Sequence, residues 1–251
     1  MLGTRQQFPM MTSTTPAPAS PSPAVDLLAA AAVQPVRSGM VVGLGTGRAA
    51  SRGIHALAAR VSAERLEISC VATSTRSADL ARSLGLTVLP MAQVRHVDVL
   101  FDGADEVDPQ LSMIKGAGGA MTWEKIVAEA ADLRVYLIDE SKLVGRLGER
   151  YALPVEVIEF ARASVEARLA EIGLEPAVRP AAAGSAEPYR TDEGNLVIDA
   201  RIPADLRATP AELDSALNAL PGILDHGLFV NQADVVIVES ADRSRIEKRM
   251  R

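Results

Sequence analysis

The sequence predicts an α/β protein in which a mostly parallel sheet is joined to a smaller α+β subdomain, and three observations carry that prediction. Short apolar strands alternate with helix-length segments between Met40 and Ile138, the spacing of βαβ units. The composition is 48% hydrophobic but only 3% aromatic, and the Ala, Val and Leu that dominate it suit a sheet covered by helices. After Leu147 the rhythm shifts to a β-α-β-β-α-β-like order, which indicates the second, smaller unit.

Taken in order, Ala24 to Val33 is an Ala/Leu-rich helix stopped by Pro35, and Met40 to Leu44 is a buried strand. Gly45-Thr46-Gly47 turns into a helix from about Arg48 to Val61. A strand at Glu67 to Ala72, a polar turn at Thr73-Ser74-Thr75 and a helix through Leu84 follow. Leu86 to Leu89, Val97 to Phe101 and Leu133 to Ile138 read as strands, and Glu124 to Ala131 as a helix with Thr122 as its N-cap. The second unit has strands at Pro154 to Ile158, Asn195 to Ile202 and Gly222 to Asp225, and helices at Ala161 to Ile172 and Pro210 to Leu220. The Ala/Pro/Gly-rich run Pro180 to Pro188 reads as an exposed loop. Ala233 to Val238 is a strand returning to the first sheet. The expected organisation is a disordered tail at 1–23, a first domain at 24–146 plus 226–240, an α+β subdomain at 147–225, and a solvated basic tail at 241–251.

A net charge of −6 with a sequence pI near 5.2 argues against nucleic acid as a partner. No apolar run approaches the roughly 20 residues of a membrane span, and none serves as a signal-peptide core. The single cysteine, Cys70, lies in an apolar run, excludes an intramolecular disulfide and fits a reducing, cytoplasmic setting. His55, His96 and His226 have no metal-ligand spacing and read as structural or exposed, so no metal site is expected.

The chemistry concentrates between Asp98 and Lys142. The chain has only four lysines among its 26 basic residues, and Lys115, Lys125 and Lys142 all fall there. Asp102-Gly103-Ala104-Asp105-Glu106 follows a strand, which places carboxylates at the rim where open α/β sheets bind ligands. Lys115-Gly116-Ala117-Gly118-Gly119 is a flexible turn able to form a nest of amides, and Glu124 stands in the first turn of the next helix. Carboxylates and an ammonium on such a backbone are the parts that move a proton beside a carbonyl. Lys142, after another strand, reaches the same rim. The first glycine loop, Gly45-Thr46-Gly47-Arg48, opens a helix and suits a phosphate. It lacks the third glycine of a dinucleotide fingerprint and the Gly-Lys-Ser/Thr of a phosphate-loop kinase, so no nucleotide cofactor is expected.

These motifs, in this order, resemble the A-type ribose-5-phosphate isomerase family from about Val36 to Val238. The specific pieces are Asp102 to Glu106, Lys115-Gly116 through Glu124-Lys125-Ile126, Asp139 through Lys142, Leu153 to Val157, and Gly227-Leu228-Phe229 with Ala233-Asp234-Val235. The resemblance implies a Rossmann-like domain with an inserted ferredoxin-like subdomain, a homodimer or homotetramer, and cofactor-free, metal-free interconversion of ribose 5-phosphate and ribulose 5-phosphate. It further implies that Glu124 is the base, that Asp102 and Asp105 handle ring opening and hydroxyl protons, and that Lys115 neutralises the enediolate. It implies a hydroxyl-rich substrate loop at Thr73, Ser74 and Thr75. Gly45, Thr46, Gly47, Arg48, Gly116, Gly118, Gly119 and Lys142 complete the expected binding set.

Three departures stand beside the likeness. Arg48 and Ala49 replace the Ser-Thr that normally supplies phosphate hydroxyls, the substrate lysine of the first helix is missing near Val25 and Asp26, and Ala117 replaces a glycine. Arg48 can compensate by forking onto the phosphate. The altered loop also leaves open an alternative, a non-catalytic sugar-phosphate-binding regulatory paralogue.

Overall fold

The computed structural model describes residues 26–251, so the tail expected at 1–23 lies outside the described residues. The chain opens with α1 (Leu27–Val33), capped by the Asp26 carboxylate on the Ala29 amide, and continues into β1 (Val41–Leu44) and α2 (Arg48–Glu64). Next come β2 (Ser69–Ala72), α3 (Thr75–Ser83), β3 (Val97–Gly103), the short strands β4 (Glu106–Val107) and β5 (Met113–Ile114), α4 (Met121–Glu129) and β6 (Ala131–Asp139). The second unit runs through β7 (Leu153–Val157), α5 (Arg162–Glu171), β8 (Glu175–Val178), β9 (Leu196–Arg201), α6 (Pro210–Asn218) and β10 (Ile223–His226). Then β11 (Leu228–Phe229), β12 (Val235–Glu239) and β13 (Ile246–Met250) close the chain.

The first sheet has the order β13-β12-β6-β3-β1-β2, parallel except for β13. Its strands are apolar on both sides because helices cover both faces. On one face α1 and α2 pack on Leu44, Phe101, Leu137 and Ile237; on the other, Leu100, Tyr136, Ile138 and Val236 meet α4 through Val127. Gly53 lets α2 approach closely, since a Cβ there would stand 2.6 Å from the Phe101 ring.

The second sheet, β10-β7-β9-β8, is antiparallel throughout, the order of a ferredoxin-like unit. Strand alternation divides its residues. Val155, Val157 and Ile198 join Val165, Leu169 and Leu217 of α5 and α6 in one core, whereas Glu156 points the other way, toward α4. The small sheet β11-β5-β4 joins the two units, and around it the Lys115 amide donates to Gly227 O at 2.8 Å while the Gly227 amide donates to Pro154 O at 2.7 Å. No helix of the described residues is long and apolar enough to cross a membrane.

Three local expectations are corrected. Leu86 to Leu89 forms no strand; only Val88 bridges to Cys70, and Pro90, with no amide hydrogen, ends the pairing. The basic tail is not simply a solvated end, because Ile246–Met250 pairs with β12 as a charged edge strand, which discourages further strand addition. Helix α4 starts one residue before Thr122, with Ala120 as its cap, and the Thr122 hydroxyl donates to Glu156 instead.

Candidate active site

The carboxyl ends of β1, β3 and β6 and the starts of α2 and α4 meet at one rim. Gly45 is required there by contact, since a Cβ would lie 2.1 Å from Asp102 Oδ1. Gly47, at φ +98°, turns the chain into α2 in a conformation that favours glycine. The Thr46 amide donates to Asp102 Oδ1 at 2.9 Å, and its hydroxyl lies 2.7 Å from Thr73 Oγ1 and 2.8 Å from Ser74 Oγ. Helix α2 has no acidic residue in its first turn, so its unpaired amides and positive dipole end remain available to an anion.

Lys115 is the centre of the site. Its ammonium is 2.9 Å from Asp102 Oδ2 and 3.2 Å from Glu124 Oε2, and it donates to the Gly103 carbonyl at 2.6 Å. The rings of Tyr136 and Phe229 stand 5.5 and 5.4 Å from the nitrogen, presenting π-density to the cation. Asp102, Lys115 and Glu124 are all buried. Although Glu124 Oε2 is close to the ammonium, it accepts no aligned hydrogen bond within the described residues.

Burial sets the proton affinities. It pushes the Glu124 carboxyl up to about 8, with the charges of Asp102 and Asp105 adding to the rise and Lys115 opposing it. Asp102 is likewise raised by burial, against the pull of Lys115 and its amide donors. Burial works against the Lys115 ammonium, but Asp102 and Glu124 outweigh it and hold the group above the ordinary lysine range.

A cleft of about 310 Å³ opens over this triad, and Thr46, Gly47, Arg48, Asp105, Lys115, Gly116, Gly118, Glu124 and Lys142 all line it. Lys142 donates to the Tyr151 hydroxyl at 2.9 Å on the wall facing α2. Arg48, the first residue of α2, is exposed, and its guanidinium makes no hydrogen bond within the described residues. A larger cavity of about 480 Å³ beside α3 and α4, lined by Leu89, Met91 and Trp123, lies away from the carboxylate–ammonium triad.

Other expected residues stand apart from the cleft. Asp102 lies beneath the floor rather than on it, because its oxygens are taken by Thr46, Gly103 and Lys115. Thr73 and Ser74 turn inward to brace Thr46, with Ser74 capping α3, and Thr75 is held by Asp192 at 2.9 Å. The hydroxyl-rich segment therefore supports the first loop instead of lining the cleft. Gly119 sits under Tyr189, where a Cβ would meet the hydroxyl at 2.3 Å.

Two carboxylates within the family motifs, with no role read for them in the sequence, turn out to be structural anchors. Glu106 is fully buried and accepts from the amides of Gly148, Arg150 and Tyr151, fixing the loop that carries Tyr151 into the cleft. Glu156, inside β7, accepts from Thr122, from Thr191 at 2.7 Å and from Asn195 at 3.0 Å, tying the start of α4 to the second unit. A carboxylate in an otherwise apolar strand was the legible signal for Glu156.

Comparison with known proteins identifies the family of the chain. Residues 69–243 match the family model described as ribose 5-phosphate isomerase A (phosphoriboisomerase A). The ribose-5-phosphate isomerase A of Jannaschia sp. (strain CCS1) is 45% identical over 215 residues, 84% of this chain and 81% of that protein. That of Roseiflexus sp. (strain RS-1) is 43% identical over 212 residues, 84% of this chain and 89% of the other. Among solved structures, ribose 5-phosphate isomerase A from Methanocaldococcus jannaschii is 37% identical with a TM-score of 0.82, covering 89% of this chain and 96% of that one. A D-ribose-5-phosphate isomerase in complex with phospho-erythronic acid is 34% identical with a TM-score of 0.83, at the same coverages. With the sequence match and the superposition both spanning most of its length, the chain belongs to the ribose 5-phosphate isomerase A family.

Proposed function

We propose that this chain interconverts ribose 5-phosphate and ribulose 5-phosphate through an enediolate, with Glu124 as the base. The observation that carries this reading is the Glu124 carboxylate itself, buried at the cleft, with Oε2 3.2 Å from the Lys115 ammonium and accepting no aligned hydrogen bond within the described residues. A carboxylate with idle lone pairs and a raised proton affinity is suited to taking a proton from carbon. In the open-chain aldose, Glu124 removes the C2 proton, the C–H electron pair forms the C1–C2 double bond, and the carbonyl oxygen becomes the enediolate oxygen. Lys115 stabilises that charge in a site largely shielded from water. The C2 hydroxyl proton then passes to the C1 oxyanion by way of Asp105, C2 becomes the ketone, and the C1–C2 electron pair takes the proton back from Glu124 at C1, which leaves a C1 hydroxyl.

Asp105, on the cleft wall, is assigned to ring opening and the hydroxyl protons. Asp102, below the floor, is a positioning residue that holds Lys115 and the Thr46 amide. The start of α2, Arg48 and Lys142 form the phosphate end. No observation favours the non-catalytic sugar-phosphate binder. The lone Cys70, buried with its thiol pushed up to about 12 by burial, is consistent with a reducing cytoplasmic setting. A homo-oligomer accounts for Phe160, which is 99% exposed in the single chain, with Ile158 at 42% beside it.

The decisive experiment follows ketose formation from ribose 5-phosphate in the presence of a chelator. Wild-type protein turns over, and Glu124→Gln loses about 10²–10⁴-fold in kcat with an unchanged circular dichroism spectrum. A Glu124→Gln protein with wild-type turnover would remove the assignment.

A further inference from the structure

Arg179 and Tyr189 reach from the second unit to the glycine turn that borders the cleft. The loop between them brings the pair together: Pro180 and Pro188 form a bridge, and the Tyr189 amide donates to Arg179 O at 2.8 Å. The Arg179 guanidinium is locked by a fork on Asp199, at 2.9 Å from Nε and 2.6 Å from Nη2, and lies 5.5 Å from the Tyr189 ring. Its Nη1 donates to the Gly116 carbonyl at 3.2 Å and the Ala117 carbonyl at 3.1 Å. The Tyr189 hydroxyl donates to the Gly118 carbonyl at 3.0 Å. Three successive carbonyls of one turn are thus held by two side chains of the second unit.

A trans peptide points its N–H opposite its C=O, so holding a carbonyl on one side aims the amide of that plane to the other. The Ala117 amide, aimed this way, donates to Asp105 Oδ2 at 2.9 Å, and the Gly119 amide donates within the turn to Gly116 O at 2.9 Å. The Gly118 amide shares its plane with the Ala117 carbonyl and has no acceptor within the described residues. Gly118 lies on the cleft wall facing the first loop, where a Cβ would come 3.9 Å from the Thr46 methyl.

We propose that Arg179 is a positioning residue for the isomerisation, holding the Ala117 carbonyl so that the Gly118 N–H points into the cleft as a donor to a sugar oxygen, with Tyr189 as a second anchor. A planar guanidinium is needed because one group must satisfy a carboxylate and two carbonyls at once; a lysine ammonium has no such fork. The inference rests on the isomerase reading, and its test includes a binding arm that does not depend on turnover.

The experiment compares wild type, Arg179→Ala, Arg179→Lys and Tyr189→Phe by steady-state kinetics with ribose 5-phosphate and by calorimetric binding of 4-phospho-erythronate, a four-carbon phosphorylated aldonate. Arg179→Ala lowers kcat/KM and weakens aldonate binding about tenfold or more, with the pH dependence of kcat/KM unchanged. Millimolar guanidinium restores part of both losses in that variant and leaves wild type unaffected. Arg179→Lys keeps the charge without the fork and shows a comparable loss. Tyr189→Phe, which removes one neutral hydrogen bond, loses about threefold. Parameters within twofold of wild type in Arg179→Ala overturn the proposal, as does a loss in a well-folded variant that guanidinium fails to restore. Should Arg179→Ala not fold, wild-type behaviour of Arg179→Lys and Tyr189→Phe overturns it. A wild-type protein without turnover contradicts the isomerase reading alone, and the binding arm still decides the role of Arg179.

Discussion

Glu124 and Lys115 stand 3.2 Å apart in a buried floor, and that proximity ties the protonation of one to the charge of the other. Only ionised Glu124 can accept a proton from carbon, and burial pushes its carboxyl up to about 8. The expected kcat/KM therefore rises with pH along a limb centred near 8, measured with the free enzyme in excess over bound substrate. A limb centred in the ordinary carboxylate range would remove burial as the controlling effect. Stability should move the opposite way. Because the folded chain binds this proton more tightly than the unfolded chain does, the stabilisation is present below the ordinary carboxylate range and is lost as pH rises through about 8. Glu124→Gln cannot ionise, so its Tm should exceed that of wild type at pH 9 and match it near pH 3, below the ordinary carboxylate range, each kcal/mol appearing as about 2–4 °C. Equal melting temperatures at both pH values would contradict the destabilising ionisation.

At the scale of elements, the start of α2 is the proposed phosphate end. The first turn carries Arg48 and Ala49 in place of hydroxyl side chains, and it faces Lys142 across the cleft. A guanidinium that makes no other hydrogen bond within the described residues is free to fork onto a phosphate. Arg48→Ala should raise KM for ribose 5-phosphate about 10- to 100-fold, the equivalent of about 1.5–3 kcal/mol for charged hydrogen bonds, while kcat changes little. An unchanged KM would place Arg48 outside the phosphate grip. The same scale explains what the motifs revealed. Asp105, Lys115, Glu124 and Lys142 lie close in sequence and follow strand ends or begin a helix, so rules of strand and helix termini bring them to one rim. Thr73, Ser74 and Thr75, which face Thr46 and Asp192 rather than the cleft, have hydroxyls whose direction depends on neighbours that local rules do not specify.

For the whole molecule, the two units work as one through polar ties as well as through the small shared sheet. Glu156 anchors the first turn of α4 from β7, and Lys125 on α4 donates to Asp225 at 2.6 Å and to the His226 carbonyl at 2.7 Å on β10. The helix that carries Glu124 is therefore fixed by the other unit. An almost fully exposed phenylalanine is a separate molecular-scale signal, since apolar surface of that kind is favoured to be buried on association. Phe160→Asp should shift the proposed homo-oligomer toward smaller species in sedimentation velocity, with the monomer fold retained. An unchanged sedimentation coefficient would remove this face from the interface.

Periodicity and strand–helix alternation were enough to assign the α/β class and to suggest the β-α-β-β-α-β order, because burial on one or both faces imposes those patterns on the chain, but the edge strand Glu175–Val178, exposed at alternate positions, was not among the expected strands. The convergence of Asp105, Lys115, Glu124 and Lys142 on one cleft was legible for the same reason: a few residues at consecutive strand ends and helix starts have little choice but to share the rim of a parallel sheet. Only the tertiary structure could decide that Asp102 lies under the floor, that Glu106 and Glu156 are buried anchors, and that Arg179 and Tyr189 grip a turn more than 60 residues away. Those contacts cross between two units, and their geometry follows from how the two sheets pack, which no local stretch of sequence encodes.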